Sequence, residues 1–290
     1  MIQDFELFTP KTLDEALSLL NKYKGSCKVI AGGQTLIILM RQGEIETPEY
    51  IVDIKGIPEL NYIRSVKDGL RIGATTTHRA IEKSPMMKKG FKVLAEMESR
   101  LSYIETRNWG TIGGNLCNAD PAGDGAPVLM ALRATVKLAS VRGVRAMALE
   151  DFFIGPYKTA LKSDELLTEI QIPTLKSRTG VAYNKFNIIE GTLATAGVAI
   201  SMTLKSGNMC NDARIVLGGM AKTPILAIKA EKMLKGKKIT DAILKKAGQA
   251  ASAEAKPISD ILASSEYRRE LVKVMVARAG NEAFARAKKA

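Results

Sequence analysis

The stretch Cys27-Lys28-Val29-Ile30-Ala31-Gly32-Gly33-Gln34-Thr35-Leu36-Ile37-Ile38-Leu39-Met40 decides the fold. Cys27 to Ala31 is a short run with β-branched residues at its centre and reads as a strand. Gly32-Gly33 breaks it, and Leu36 to Met40 then reads as a buried helical turn. A strand that ends in paired glycines and passes into a helix can let its backbone approach a ligand closely. Exposed N–H groups at such a turn can cradle phosphate oxygens. A Gly-Gly pair after a strand also reads as a plain turn, and both readings stand at this point.

The flanking sequence continues the α/β pattern. Thr12 with Glu15 has the spacing of a capping box, and Leu13, Ala16, Leu17 and Leu20 fall on one helical face. Tyr50 to Ile54 and Leu70 to Gly73 are strand-like. Residues 99–126 hold Gly110, Gly113, Gly114, Gly123 and Gly125 among Asn108, Asn115, Asn118, Asp120, Pro121 and Asp124. So long a turn-rich stretch inside a domain points to an ordered functional loop, because Ile112 and Leu116 anchor it. Within it, Thr111 to Asn115 offers a hydroxyl, two glycines and an amide. Two such loops suit a diphosphate gripped from two sides, outside the G-x-G-x-x-G fingerprint, which is absent. The alternative is a loop that satisfies its own backbone. Asp120 and Asp124 lack a third nearby carboxylate, so a metal site is not expected, and Asp124 reads as an acceptor for a ligand hydroxyl or N–H.

After Ala126 a helix and the strand Thr135–Leu138 follow. The polar segment 173–180 marks a domain boundary. Beyond it Ala194, Ala196, Val198, Ile200, Met202 and Leu204 alternate at period two, the pattern of a half-buried strand. Ser206-Gly207-Asn208 turns the chain, Arg214 to Leu217 returns, and amphipathic helices are expected near 224–234, 240–253 and 267–287.

Composition narrows the function classes. The 290 residues are 46% apolar and 25% charged, which excludes a disordered chain. No apolar run approaches the ~20 residues of a membrane helix, and no secretory leader is evident, so a cytoplasmic protein is expected. Three scattered cysteines and one histidine do not have the spacing of a disulfide framework, a zinc site or an iron–sulfur site. The net charge of +13 is concentrated in residues 221–290, which carry sixteen Lys/Arg against seven Asp/Glu. That excess reads as solvated helix faces, or as a surface for nucleic acid; with aromatics at only 5%, a stacking platform for single strands is not apparent.

The spacing of these motifs carries a resemblance. Ala31-Gly32-Gly33-Gln34-Thr35 is followed about 75 residues later by Thr106-Arg107-Asn108-Trp109-Gly110-Thr111-Ile112-Gly113-Gly114-Asn115, and then by Ala119-Asp120-Pro121-Ala122-Gly123-Asp124. This series resembles the FAD-binding medium subunits of molybdenum hydroxylases, the xanthine, carbon monoxide and nicotinate dehydrogenase type. Phe5 to Ala16, Ile72 to Thr77 and Tyr183 to Phe186 resemble the family as well.

The resemblance implies an α+β fold: an N-terminal FAD-binding α/β region in two subdomains, residues 1–55 and 56–176, then a C-terminal antiparallel sheet with helices, residues 177–290. It implies that Val29, Ile30, Ala31, Gly32, Gly33, Gln34 and Thr35 line FAD, the last four on its pyrophosphate. Thr111, Gly113, Gly114 and Asn115 would close from the other side, with Thr106, Gly110, Cys117 and Gly123 among the lining residues. Asp124 would bond the ribose or polar chain of the cofactor, and Leu101 and Leu167 would pack near the isoalloxazine. Lys185 would lie near the N1/O2 edge of the flavin, where a cation stabilises the reduced ring. Without the family, Lys185 reads as a surface lysine. His78 reads as a helix-start residue. Ile189 and Glu190 stand where the family often has a basic pair.

The function so implied is electron transfer. The chain would take electrons from iron–sulfur clusters on a small partner subunit, with molybdopterin on a large one, and pass them to an external acceptor such as NAD. A stand-alone FAD oxidoreductase and a basic nucleic-acid-binding protein are the alternatives.

Overall fold

The computed structural model describes residues 2–290, except the side chains of Lys88 and Lys89. It is a mixed helix-and-strand structure built on three main sheets and a small two-stranded ribbon, Phe153–Gly155 with Lys158–Thr159. The first is parallel, with Tyr50–Asp53 between Glu6–Phe8 and Cys27–Ile30. The helix Leu13–Lys22 packs on it through Ala16, Leu17 and Leu20. Thr12 caps that helix by accepting from the Glu15 N–H, while the Glu15 carboxylate accepts from Lys11 N–H, one residue earlier than in a capping box. Phe8, Tyr23 and Tyr50 stack at the sheet edge, with the two tyrosine rings 4.1 Å apart.

The helix after the glycine pair, Leu36–Gln42, is not buried as the sequence suggests. Met40 alone is enclosed, and Ile37 and Ile38 are exposed at 40% and 49%. Seven residues make two turns, enough to turn one side chain inward and leave the others on the open face.

The second sheet is wholly antiparallel, so parallel pairing is confined to the first. Its order is Ile63–Val66, Gly69–Gly73, Leu166–Pro173, Thr135–Ser140 and Gly143–Ala148. Between its strands runs the glycine-rich stretch. The long loop expected over 99–126 is instead mostly helical, comprising Ile104–Trp109, Ile112–Asn118 and the start of Gly125–Ala131. Helices of six or seven residues are too short for apolar periodicity to register. Gly110 and Gly123 sit at the breaks and Gly113, Gly114 and Gly125 in first turns, so composition alone reads as loop.

The third sheet pairs Thr179–Phe186, Ala196–Lys205, Met209–Gly218 and Ile225–Leu226 in sequence order, all antiparallel. Three helices follow, Ile228–Leu234, Asp241–Glu254 and Ser265–Lys289. The strand Ala196–Lys205 is buried on both faces over its first half, not half-buried. Ala196, Val198, Ile200 and Met202 face a core shared with the terminal helices. Ala199, with Val181, Tyr183 and Val216, belongs to the apolar core of the second sheet, on the side of the helix Gly125–Ala131. Alternation reports the strand correctly, but small residues at Gly197 and Ala199 conceal the second packed face.

The long last helix lies directly on the strand Thr179–Phe186. A Cβ on Gly180 would run into the carbonyl of Ala283 and the amide of Ala287. Gly180→Val should therefore destabilise the chain by roughly 1–3 kcal/mol, the usual range for overpacking. A urea midpoint matching wild type would show that helix and strand can part without loss.

Candidate functional site

The two glycine motifs, far apart in sequence, touch through their backbones. A Cβ at Gly32 would strike the Trp109 carbonyl and lie 2.7 Å from Gly110 Cα. Gly32 is thus required for close approach of one loop to the other. Gly33 has φ +70°, a conformation that favours glycine, and starts the turn into the Leu36–Gln42 helix. The Gln34 side-chain amide donates back to the Gly32 carbonyl at 3.2 Å, which braces the turn. Thr35 stands at the helix N-cap, but its hydroxyl caps no N–H. Val29 and Ala31 border the core of the first sheet, which also takes in Leu60, Ala139 and Leu166, and the Ile30 carbonyl accepts from Ile54 N–H at the strand end.

The two loops differ in what they offer a ligand. Among the described residues, the backbone N–H groups of Gly32, Gly33, Gln34 and Thr35 donate to no protein acceptor. Four unpaired donors on one turn are the kind of group that can hold an anion. In the second loop the corresponding donors are taken. Ile112 N–H donates to Thr76, Gly113 N–H to Ala74 at 2.9 Å, Gly114 N–H to the Thr111 hydroxyl at 3.1 Å, and Asn115 N–H to the Thr111 carbonyl. Gly113 is glycine because a Cβ there would meet Ala74 within 2.6–2.9 Å. Its small size allows close packing against the chain after Gly69–Gly73. Thr111 bridges Thr77 across the same seam, and the Gly110 carbonyl accepts from His78 N–H.

The third motif closes on the second. The Asn115 side chain packs against Gly123 and Gly125, where a Cβ on Gly125 would lie 2.9 Å from its Oδ1. Gly123 N–H donates to the Asp120 carbonyl, and Asp120 Oδ1 accepts from Ala122 N–H, so this loop is a self-braced turn. Thr106 lies one helical turn behind, its carbonyl accepting from Gly110 N–H at 2.7 Å. Burial pushes the Cys117 thiol up to about 12, which keeps it neutral. Leu101 and Leu167 are both buried and belong to one apolar cluster with Ile112 and Leu116.

Asp124 and Lys185, to which separate roles were assigned from the sequence, meet in space. Lys185 Nζ lies 2.7 Å from Asp124 Oδ2, and both side chains are 4% exposed. Lys185 is therefore no surface lysine. The Tyr183 hydroxyl donates to the other carboxylate oxygen at 2.6 Å. Asp124 occupies the N-cap of Gly125–Ala131 without capping it, which leaves both oxygens for these partners. Burial pushes the Asp124 carboxyl up, and the Lys185 ammonium and Tyr183 hydroxyl pull it back. Tyr183 escaped the sequence reading, although its place two residues before Lys185 on one strand puts both on the same face. Trp109 was missed as well. Its carbonyl meets Gly32, its ring is 55% exposed, and Lys55 Nζ lies 5.2 Å from the ring centre.

A turn of unpaired N–H groups thus lies in backbone contact with a braced glycine helix-turn, and neither motif carries the usual dinucleotide fingerprint. Comparison with known proteins gives the class. Residues 3–175 match the FAD-binding domain of molybdopterin dehydrogenases, and 181–283 match the C-terminal domain of the CO dehydrogenase flavoprotein. The chain belongs to this family of FAD-binding subunits. It is 37% identical to the glyceraldehyde dehydrogenase medium chain of Sulfolobus acidocaldarius over 96% of this chain and 98% of that one. Carbon monoxide dehydrogenase of Hydrogenophaga pseudoflava superimposes with a TM-score of 0.95 at 35% identity, covering 99% of both chains. Quinoline 2-oxidoreductase of Pseudomonas putida gives 0.93 at 29% identity, again over 99% of both. The unpaired donors of Gly32 to Thr35 fit the cofactor that this family binds, because a pyrophosphate supplies the acceptors they lack.

The ion pair generates a prediction with a pH signature. Lys185→Met leaves a buried carboxylate without its cation and should destabilise the chain by about 3 kcal/mol, with most of this recovered in Lys185→Met/Asp124→Asn. With the ammonium gone, burial holds the Asp124 carboxyl above its unfolded value. The single variant should then be most stable below the unfolded carboxyl value of about 4, lose stability as pH rises from there through the raised value, and level off above it. Denaturant titrations across pH check this, and equal stability of the single and double variants would contradict it.

Proposed function

We propose that this chain is the FAD-carrying electron-transfer subunit of a three-subunit molybdenum hydroxylase. In this reading it takes electrons from iron–sulfur clusters on a small subunit, and a large molybdopterin subunit oxidises the substrate. It then delivers the electrons to an external acceptor such as NAD, in the cytoplasm. The observation that carries the reading is the turn of unpaired N–H groups at Gly32 to Thr35, in a chain of this family. A similar CO dehydrogenase is a Cu,Mo enzyme, and the Hydrogenophaga structure lacks the Mo-pyranopterin moiety of a molybdenum cofactor, which together support molybdenum chemistry on a partner. Among the described residues no group of three His, Cys, Asp or Glu gathers at a metal site.

FAD, when bound, exchanges single electrons with one-electron carriers and a hydride with two-electron acceptors. The chain's residues bind and orient it. Gly32, Gly33, Gln34 and Thr35 would hold the pyrophosphate, with the Thr111 N–H and the Asn115 amide as the second loop's remaining donors. Leu101 and Leu167 would supply the apolar wall. Lys185 would place positive charge toward the N1/O2 edge, and Asp124 would offset part of that charge and hold the ammonium in place. A neutralised pair tunes the flavin less than a lone lysine would.

Two measurements test this. The native complex should contain three kinds of polypeptide and show flavin absorbance at about 450 nm together with iron, sulfide and molybdenum. A purified complex without an iron–sulfur subunit would favour the stand-alone oxidoreductase. Gly33→Val should weaken FAD binding at least about tenfold, because a β-branched residue cannot hold the left-handed turn. Stoichiometric FAD in that variant would remove the first loop as the anchor.

A further inference from the structure

The single histidine of the chain and a fully buried glutamate lie behind the second loop, and neither is used above. His78 is 3% exposed and Glu98, on the helix Lys92–Ser99, is 0% exposed. His78 Nδ1 lies 2.8 Å from Glu98 Oε2, while Glu98 Oε1 has no hydrogen-bond partner. A buried carboxylate with one orphaned oxygen is costly and persists where surrounding structure holds it. What the pair holds is visible on the other side of the ring. A Cβ on Gly110 would lie 3.0 Å from His78 Cδ2 and 3.5 Å from Nε2, so the ring edge abuts the Gly110 backbone. His78 N–H donates to the Gly110 carbonyl, and Thr76 and Ala74 receive Ile112 and Gly113 N–H. The chain from Ala74 to His78 is thus the rail on which the second loop hangs, and the Glu98 carboxylate fixes the angle of the imidazole at its end.

We infer that His78, oriented by Glu98, is a positioning residue that sets the second loop's grip on FAD. An imidazole anchored at Nδ1 has a fixed ring plane. Gly110 fits against the Cδ2–Nε2 edge that this plane fixes, and Gly32 in turn fits against Gly110. The imidazole therefore sets the spacing between the two loops, and with it the width available to a pyrophosphate. A freely rotating apolar side chain of similar size fills the volume without defining the plane. The charged and titratable groups around the pair are Arg79 and Glu82 on its own helix, Arg107 of Ile104–Trp109, and the Asp124–Lys185 pair with Tyr183. Arg107 is tied to Glu82 and to the Leu101 and Ser102 carbonyls, and Lys185 to Asp124, while Arg100, two residues after Glu98, is a further cation on that side and acts on Tyr183.

This inference rests on the FAD-site reading, and the experiment separates the two. FAD affinity is measured by fluorescence titration of the deflavinated full chain, for wild type, His78→Leu/Glu98→Leu and Glu98→Gln. The double leucine variant removes both polar partners together, which keeps the core apolar and avoids stranding either group. It should unfold near the wild-type midpoint yet bind FAD about tenfold more weakly, whereas Glu98→Gln, whose amide oxygen still accepts from Nδ1–H, should stay within about twofold of wild type. Because the chain has one histidine, the imidazole 15N signals need no assignment, and they should shift along the same FAD titration curve. Wild-type affinity in the double variant, or imidazole signals that do not move on FAD addition, would overturn the positioning role. The same is true if Glu98→Gln loses as much affinity as the double variant. Wild-type chain that binds no FAD would instead overturn the site itself.

Discussion

The contact of Gly32 with the backbone of Trp109 and Gly110 is the constraint on which the candidate site depends. It joins a parallel α/β unit to an antiparallel one at a point where neither backbone has room for a side chain. Such a contact is short-ranged and stiff. Any displacement of the helix Ile104–Trp109 is transmitted to the first loop without a flexible side chain to absorb it. The turn Gly32 to Thr35 keeps its N–H groups unpaired because the neighbouring backbone meets it at the glycine and not along the donors.

The second loop is built on the opposite economy. Nearly every donor at the start of Ile112–Asn118 is satisfied within the protein, by Thr76, Ala74 and Thr111. A helix start that is already satisfied is rigid before any ligand arrives. One side of the site thus supplies unmet hydrogen-bonding capacity, and the other supplies fixed shape. The buried Lys185–Asp124–Tyr183 group extends this division. It ties the strand Thr179–Phe186 to the N-terminus of Gly125–Ala131 with a charge pair that is close to neutral as a unit. Orientation, more than net field, is what such a pair contributes.

Much of this was legible in the sequence. The strand, glycine pair and helix at 27–40, the cap at Thr12 and the alternating strand at 196–204 all have local signals that the structure repeats. The family motifs located the loops. Three things were not legible, each for a physical reason. The helices Ile104–Trp109 and Ile112–Asn118 are shorter than the window in which periodicity can be counted. The second buried face of Ala196–Lys205 is lined by glycine and alanine, whose hydropathy does not distinguish close packing from exposure. The reason for Gly113 is a contact with Ala74, and tertiary neighbours of this kind leave no mark on the residues beside the glycine. The pairing of Asp124 with Lys185 lies between these cases. Both residues were singled out, but only the register of two distant elements shows that they neutralise one another.

The apolar cluster of the second sheet does not stop at the domain boundary; it takes in Val181, Tyr183, Ala199 and Val216 of the third sheet. The third sheet is therefore a shared wall, with the flavin-binding half on one side and the terminal helices on the other. Cutting the chain in the polar segment 174–178 would sever the peptide but leave this seam intact, and separating the halves would bare apolar surface on both. A shared apolar seam of this kind couples the two halves in unfolding, and it leaves the C-terminal half poorly suited to exchange between relatives as a free-standing module. Evolution of this chain toward new partners has its freedom at the loops and the outer helix faces, while the sheet between the halves is held from both sides.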